Sequence, residues 1–144
     1  MIEELYQKNL MRLAADADGA GTMDNPDAEG TLDNPTCGDR ITIQVRLEDG
    51  RITELVHENR SCMLCQASAS LLARNATGLS MDDVAHLQSV LKELFDEKTA
   101  KPDLPWEELS YFEPVKDHRS RHICVLLPLN ALHKILSEHQ KNGT

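Results

Sequence analysis

The chain has 144 residues, a formal net charge of −9 and only 3% aromatic residues. That length suits one domain with a modest core. The acidic balance and the lack of a Lys/Arg stripe or aromatic platform exclude nucleic acid and anionic membranes as partners and favour a basic protein surface. No apolar stretch is long enough to span a bilayer. The first residues lack the basic start and apolar run of a signal peptide, so a cytoplasmic protein is expected. In a reducing compartment the four cysteines point to metal binding or thiol chemistry rather than to disulfides, with inert buried cysteines as the alternative.

In chain order, residues 2–14 carry Leu5, Leu10, Leu13 and Ala14 at helical spacing. Residues 15–39 are rich in Asp, Gly, Asn, Pro and Thr and read as a loop, with Asp-Asn-Pro at 24–26 and again at 33–35. From Ile41 the pattern alternates, with Ile41, Ile43, Val45 and Leu47 on one side and Thr42, Gln44 and Arg46 on the other. Asp49-Gly50 then separates this run from a second strand, Ile52 to Glu58, which is a strong hairpin signal. Ser61 is placed to cap a helix running to about Asn75 and stopped by Gly78. Ser80, followed by Asp82 and Asp83, caps another helix reaching about Glu97, with Val84, Leu87, Leu91, Leu94 and Phe95 as its apolar side.

Residues 99–120 contain Pro102, Pro105 and Pro114 and read as an irregular excursion with one turn at Trp106–Leu109. The last helix is expected from near Cys124 to about Gln140, with Pro128 in its first turns and Leu129, Leu132, Ile135 and Leu136 buried. The whole predicts an α+β domain, an antiparallel sheet with helices packed on one face.

The cysteines fall at the ends of these elements. Cys37 lies in a loop before the first predicted strand, and Cys62 and Cys124 at predicted helix N-termini. Unpaired backbone N–H groups and the macrodipole favour a thiolate there. Asp39 follows Cys37 across a glycine, so the two side chains can share an ion. Three sulfurs and one carboxylate oxygen make a tetrahedron suited to zinc or a cluster iron. The alternative role for Asp39 is to cap the turn into the strand.

The segment Asp33-Asn34-Pro35-Thr36-Cys37-Gly38-Asp39, the hairpin, Cys62-x-x-x-x-Ala67-Ser68-Ala69-Ser70 and Arg121-x-x-Cys124 occur in this order. Together they resemble the U-type scaffold family of iron–sulfur cluster assembly (NifU N-terminal domain, IscU, SufU), from about residue 22 to the last helix. The resemblance implies a SufE/IscU-like α+β fold with a three-stranded antiparallel sheet. It implies one NifU N-terminal/IscU-like domain over residues 1–144, in which the 15–39 loop carries the first ligands. Cys37, Asp39, Cys62 and Cys124 would hold zinc ion or an iron–sulfur cluster. The long interval before Cys124, with the 99–120 stretch, resembles the SufU branch, whose members contain zinc and take persulfide sulfur from a cysteine desulfurase. Two functions therefore stand: a cluster scaffold serving recipient apoproteins, or a zinc-dependent sulfur-transfer partner of a SufS/IscS-like cysteine desulfurase. In the first, Cys37, Cys62 and Cys124 receive sulfur and iron; in the second, Cys37 is the candidate sulfur acceptor, and Arg121 would steady an anionic sulfur species or an acidic neighbour. A structural zinc domain without sulfur chemistry is a third, weaker alternative.

Departures from the family pattern are also visible. Cys65 lies one turn after Cys62, as a spare acceptor, a replacement ligand or a buried side chain. His122 stands one residue earlier than the histidine that precedes the last cysteine in the IscU branch. It either reaches the site or lies on the surface. His57, His86, His118, His133 and His139 read as surface or boundary residues. Glu113-Pro114-Val115-Lys116 is only a fragment of the peptide read by an Hsp70-type partner, so that partnership is not inferred. The loop before Cys37 lacks the Pro-Arg-Asn segment common in relatives, and Asp24 to Gly30 takes its place.

Overall fold

A computed structural model describes residues 2–36, 38–96, 98 and 102–142. Helix α1 (Ile2–Asp16) leads to strands β1 (Ala28–Asn34), β2 (Asp39–Glu48) and β3 (Arg51–Arg60), then to α2 (Met63–Arg74) and α3 (Met81–Leu94). A 3-10 segment, Glu107–Asp117, precedes the long α4 (Arg119–Asn142). The strands form one antiparallel sheet in the order β1-β2-β3. Helix α4 packs on β1 and β2, α2 packs on β3, and α1 packs on α2.

The β2–β3 hairpin follows from its turn chemistry. Asp49 and Gly50 both have positive φ (54° and 77°), as a two-residue turn matched to strand twist requires. Ile41, Ile43 and Val45 are fully buried on the inner face. On the outer face, register partners of β1 and β2 bond directly: Thr31 with Thr42 (2.7 Å), Gln44 with Glu29 (2.9 Å) and Arg40 with Asp33 (2.7 Å). Such cross-strand pairs stabilise a solvated sheet face.

Strand β1 lies inside the segment read as loop. Its residues include Gly, Asp and Asn, which disfavour strands, so local propensity hides it. Tertiary packing overrides that preference, and the third strand is the one the family resemblance implied. Gly30 is the contact point: a Cβ there would overlap Ile135 of α4, so only glycine lets the helix lie this close to the edge strand.

His57 was expected as a surface or boundary residue but is 3% exposed. The cause is a register irregularity opposite Arg46/Leu47: Arg46 pairs with Glu54 and Leu47 with Ile52, so Thr53 is the extra residue. A bulge reverses the in/out alternation beyond it. Leu55 and His57 therefore turn inward after Ile52, where an unbroken strand would have sent Glu54 and Val56. His57 then clamps the loop after α1. Its Nε2 meets the Asp18 carbonyl (2.8 Å), its amide donates to the Gly19 carbonyl (2.8 Å), and its carbonyl accepts from Gly21 (2.9 Å). Arg74 of α2 holds the same loop through Asp16 (3.2 Å) and Asp18 (2.6 Å).

Helix α2 starts one residue later than the cap predicted from Ser61. Cys62 occupies the cap position, and the Ser61 hydroxyl donates to the Asn59 side chain (2.8 Å). The small residues Ala67, Ser68, Ala69 and Ser70 are all buried, so α2 passes through the centre of the molecule with neighbours on most sides. Helix α3 has the predicted cap as a full capping box: the Asp83 amide donates to Ser80 Oγ (3.2 Å) and the Ser80 amide to Asp83 Oδ2 (2.9 Å). The helix ends at Leu94, with Phe95 as its cap, short of the expected Glu97, which lies outside the described residues.

The excursion is more ordered than its prolines suggest. Leu109, Phe112 and Val115 are buried at intervals of three, the period of a 3-10 helix. They seal α1, α3 and α4. Helix α4 begins at Arg119, five residues before the expected start, so Pro128 sits in its interior. The polar run Arg119 to His122 reads as loop because only the other side of the helix is apolar.

Two measurements check these contacts. Gly30→Ala should lower the free energy of urea unfolding by about 1–3 kcal/mol, the usual cost of overpacking. An unchanged midpoint would show that Ile135 moves aside freely. Burial pushes the His57 pKa below its ordinary value, against the opposing hydrogen bond to Asp18. The unfolded chain then takes up that proton first as pH falls, so the stabilisation is complete above about pH 6.5 and is lost below it. His57→Gln should flatten the fall in unfolding free energy below about pH 6.5, and a slope equal to wild type would contradict the assignment.

Candidate metal centre

The start of β2, the end of β3 and the start of α2 meet at one end of the sheet, where Arg40 pairs with Arg60. Asp39, the first residue of β2, is 2% exposed on the inner face. Gly38 before it has φ +72°, a left-handed conformation that glycine adopts without steric cost. The Asp39 carboxylate accepts the Cys62 backbone N–H (Oδ1, 2.9 Å) and lies 3.7 Å from Cys62 Sγ through Oδ2. It therefore ties the first residue of the strand to the cap position of α2.

Cys124 reaches the same point from α4. One ligand atom from each of Asp39, Cys62 and Cys124 lies within 4.8 Å of the others, and among the described residues no other His/Cys/Asp/Glu group of this kind occurs. Cys124 is fully buried and Cys62 half-buried, so the cluster opens to solvent on the Cys62 side. Two sulfurs and a carboxylate oxygen at this spacing fit a zinc or iron ion, which in tetrahedral geometry takes a fourth donor. Cys37, expected as that donor, lies outside the described residues.

Cys124 is the sixth residue of α4 rather than its first, so the helix N-terminus expected beside its thiol is more than a turn away. Its position is set by packing. Pro128 has no N–H for the carbonyl four residues earlier, which is that of Cys124. The next carbonyl, Val125, accepts a buried 2.6 Å hydrogen bond from Ser68 Oγ of α2. Ser70, two residues on, accepts from the Asp18 amide (3.0 Å). The two serines of the Ala-Ser-Ala-Ser run thus fasten α4 and the α1–β1 loop to the central helix. Neither role was read from the sequence, although the run itself was noted.

The other candidates divide clearly. Arg121 is exposed and one turn before Cys124, on the same side of α4. His122, two residues before Cys124, faces the opposite side. Its Nε2 serves the carbonyls of Val115 and Lys116 (3.0 and 2.9 Å), and its ring stacks on Phe95 at 4.5 Å. It secures the 3-10 segment and is not part of the cluster. His86 and His118 are exposed, and His133 and His139 are half-buried. Cys65 is fully buried. Burial pushes its thiol up to about 12, with a smaller opposing effect from Ser61 and repulsion from Asp39 and Cys62.

Comparison with known proteins bears on the family and the fold. The sequence profile of the NifU-like N-terminal domain matches residues 5–123. The chain is similar to the iron–sulfur cluster assembly scaffold protein IscU of Thermotoga maritima, with 24% identity over 139 residues, 93% of this chain and 94% of the relative. It is also similar to the zinc-dependent sulfurtransferase SufU of Bacillus subtilis, with 21% identity over 139 residues, 96% and 94% of the two chains. The crystal structure of a nitrogen-fixing NifU-like protein (N-terminal) from Brucella abortus superposes with a TM-score of 0.88 at 29% identity, covering 97% of each chain. No helix among the described residues is long and apolar enough to cross a membrane.

The two described thiols of α2's first turn should differ in reactivity. With a pKa of about 12, Cys65 is ionised to the order of one part in ten thousand at about pH 8. In metal-stripped protein, iodoacetamide at that pH should label Cys62 and leave Cys65 unmodified until denaturant is added, as read by peptide mass mapping. Labelling of Cys65 in the folded protein at the rate of Cys62 would contradict its burial.

Proposed function

This chain belongs to the NifU-like N-terminal domain family, and from that premise we propose that it is an iron–sulfur cluster assembly protein. In this reading it holds a metal or nascent cluster on Cys37, Asp39, Cys62 and Cys124 and receives sulfur from a cysteine desulfurase. The supporting observation is the convergence of Asp39, Cys62 and Cys124 within 4.8 Å from three elements far apart in sequence. The donor set fits the cargo: thiolates suit iron and zinc, and one carboxylate makes release easier than four cysteines would.

Each residue has a physical task. Asp39 would be a ligand to the ion, and its carboxylate is already oriented by the Cys62 amide. Cys124 sits on a helix anchored by Ser68, and Cys62 borders solvent. Cys37 completes the set and is the sulfur acceptor. Its thiolate attacks the terminal sulfur of the desulfurase persulfide, forming a new S–S bond as the old one breaks and leaving the desulfurase cysteine as a thiolate. Arg121, exposed one turn from Cys124, offers positive charge to the anionic sulfur. Bound metal would keep the thiols ionised at neutral pH. Recipient apoproteins then take the product.

A second reading is a zinc-dependent persulfide acceptor that builds no cluster. The 3-10 segment before α4, where the chain resembles the SufU branch, favours it, as does the similarity to the Bacillus subtilis protein.

The deciding measurement is the metal and acid-labile sulfide content of protein purified without oxygen. Iron and sulfide in equal amounts support the scaffold, and Asp39→Ala should then slow cluster loss to a chelator. About one zinc per chain without sulfide supports the transfer partner, and Asp39→Ala should then weaken zinc by roughly 10-fold or more. Metal content unaffected by Cys62→Ser and Cys124→Ser would sink both readings.

A further inference from the structure

Asn34 is the last residue of β1 and is 6% exposed. The alternation along β1 places it on the inner face with Ala28, Gly30 and Leu32. Its register partner is Asp39. Directly paired residues share a face, with Cβ atoms about 4.5–5.5 Å apart, so the Asn34 side chain stands beside the cluster's carboxylate.

The Asn34 amide nitrogen is the one buried side-chain nitrogen or oxygen without a hydrogen-bond partner among the described residues. Other buried polar side chains are matched: Ser68 donates to Val125, Ser70 accepts from Asp18, His57 meets the Asp18 carbonyl, and Asp39 accepts from Cys62. A buried donor left without an acceptor is destabilising, because it has given up its bonds to water. This one is next to the described residues' single group of metal-ligating atoms, and that group is rich in sulfur. An amide N–H needs an electron-rich acceptor, which a metal-bound thiolate or a delivered sulfide provides.

We propose that Asn34 is a positioning residue of the metal centre, donating its amide N–H to a sulfur atom held at the Asp39–Cys62–Cys124 site. The proposal rests on the metal-binding reading above. It assigns the buried amide, unmatched among the described residues, an acceptor that is either a metal-bound thiolate or a delivered sulfide. N–H donors to cluster and zinc sulfurs withdraw charge from the sulfur and so tune affinity and lability.

The sign of the effect separates this role from a structural one. Asn34→Leu has nearly the same shape but no donor. In metal-free protein, removing an unmatched polar group should leave the thermal midpoint unchanged or higher. In the same variant, zinc affinity measured by chelator competition should fall about 10-fold or more. The cobalt-substituted protein should show a shifted sulfur-to-metal charge-transfer band. Asn34→Asp, which replaces the donor by an acceptor, should weaken zinc further. A band shift with cobalt alone identifies a cysteine thiolate as the acceptor, and a shift only after sulfide is added identifies the delivered sulfur. Wild-type zinc affinity and an unshifted band with and without sulfide in Asn34→Leu would overturn the proposal. So would a metal-free midpoint that drops in both variants while zinc affinity holds. A wild-type protein that binds neither zinc nor cobalt would instead overturn the metal-centre reading, and this proposal with it.

Discussion

The geometry of the metal centre depends on the contact between α2 and α4, and that contact turns on one buried hydrogen bond. Pro128 interrupts the regular backbone ladder of α4 one turn after Cys124. At that place α2 presents the Ser68 hydroxyl to the Val125 carbonyl at 2.6 Å. The bond fixes the longitudinal position of α4 against α2, and with it the depth at which the Cys124 sulfur sits beside Cys62. A hydrophobic contact would hold the helices together but would allow sliding, because apolar burial is non-directional.

The remaining scaffold holds α2 in place. The small residues of its central turns allow α1, α4 and the sheet to approach closely. At its N-terminus the Asp39 carboxylate takes the Cys62 amide, and at its C-terminal turn Arg74 grips the loop that His57 clamps from the sheet side. The helix is thus tied at both ends and in the middle by polar contacts of fixed direction. Of the candidate ligands, Asp39 consequently sits at a strand start, Cys124 within a helix and half-buried Cys62 at a helix cap.

Asp39 organises a helix start through the Cys62 amide, and in the proposed reading its carboxylate also offers an oxygen to an ion. The same atoms that would be desolvated at a cost are repaid locally, because a carboxylate accepting a backbone N–H is a charge-assisted bond. Beside it, the Asn34 amide nitrogen is the buried side-chain donor that finds no acceptor among the described residues.

Much of this was legible in the residues. The Asp49-Gly50 turn, the Ser80 capping box and the apolar stripes of α3 and α4 follow from chemistry within a few positions of each other. The motif order likewise marked Asp39, Cys62 and Cys124 before any coordinates. Other features were not legible, because their causes are distant in sequence. Strand β1 exists because α4, about a hundred residues later, packs against Gly30. His57 is buried because an extra residue at Thr53 reverses the strand's alternation. Cys124 lies within its helix rather than at its start, and His122 turns to the 3-10 segment. The sequence by itself determined which residues could serve as ligands, since ligand chemistry belongs to side-chain type. Only the tertiary structure decided that a strand end, a helix cap and a helix interior bring three of them to one point, because that convergence is a property of packing between elements.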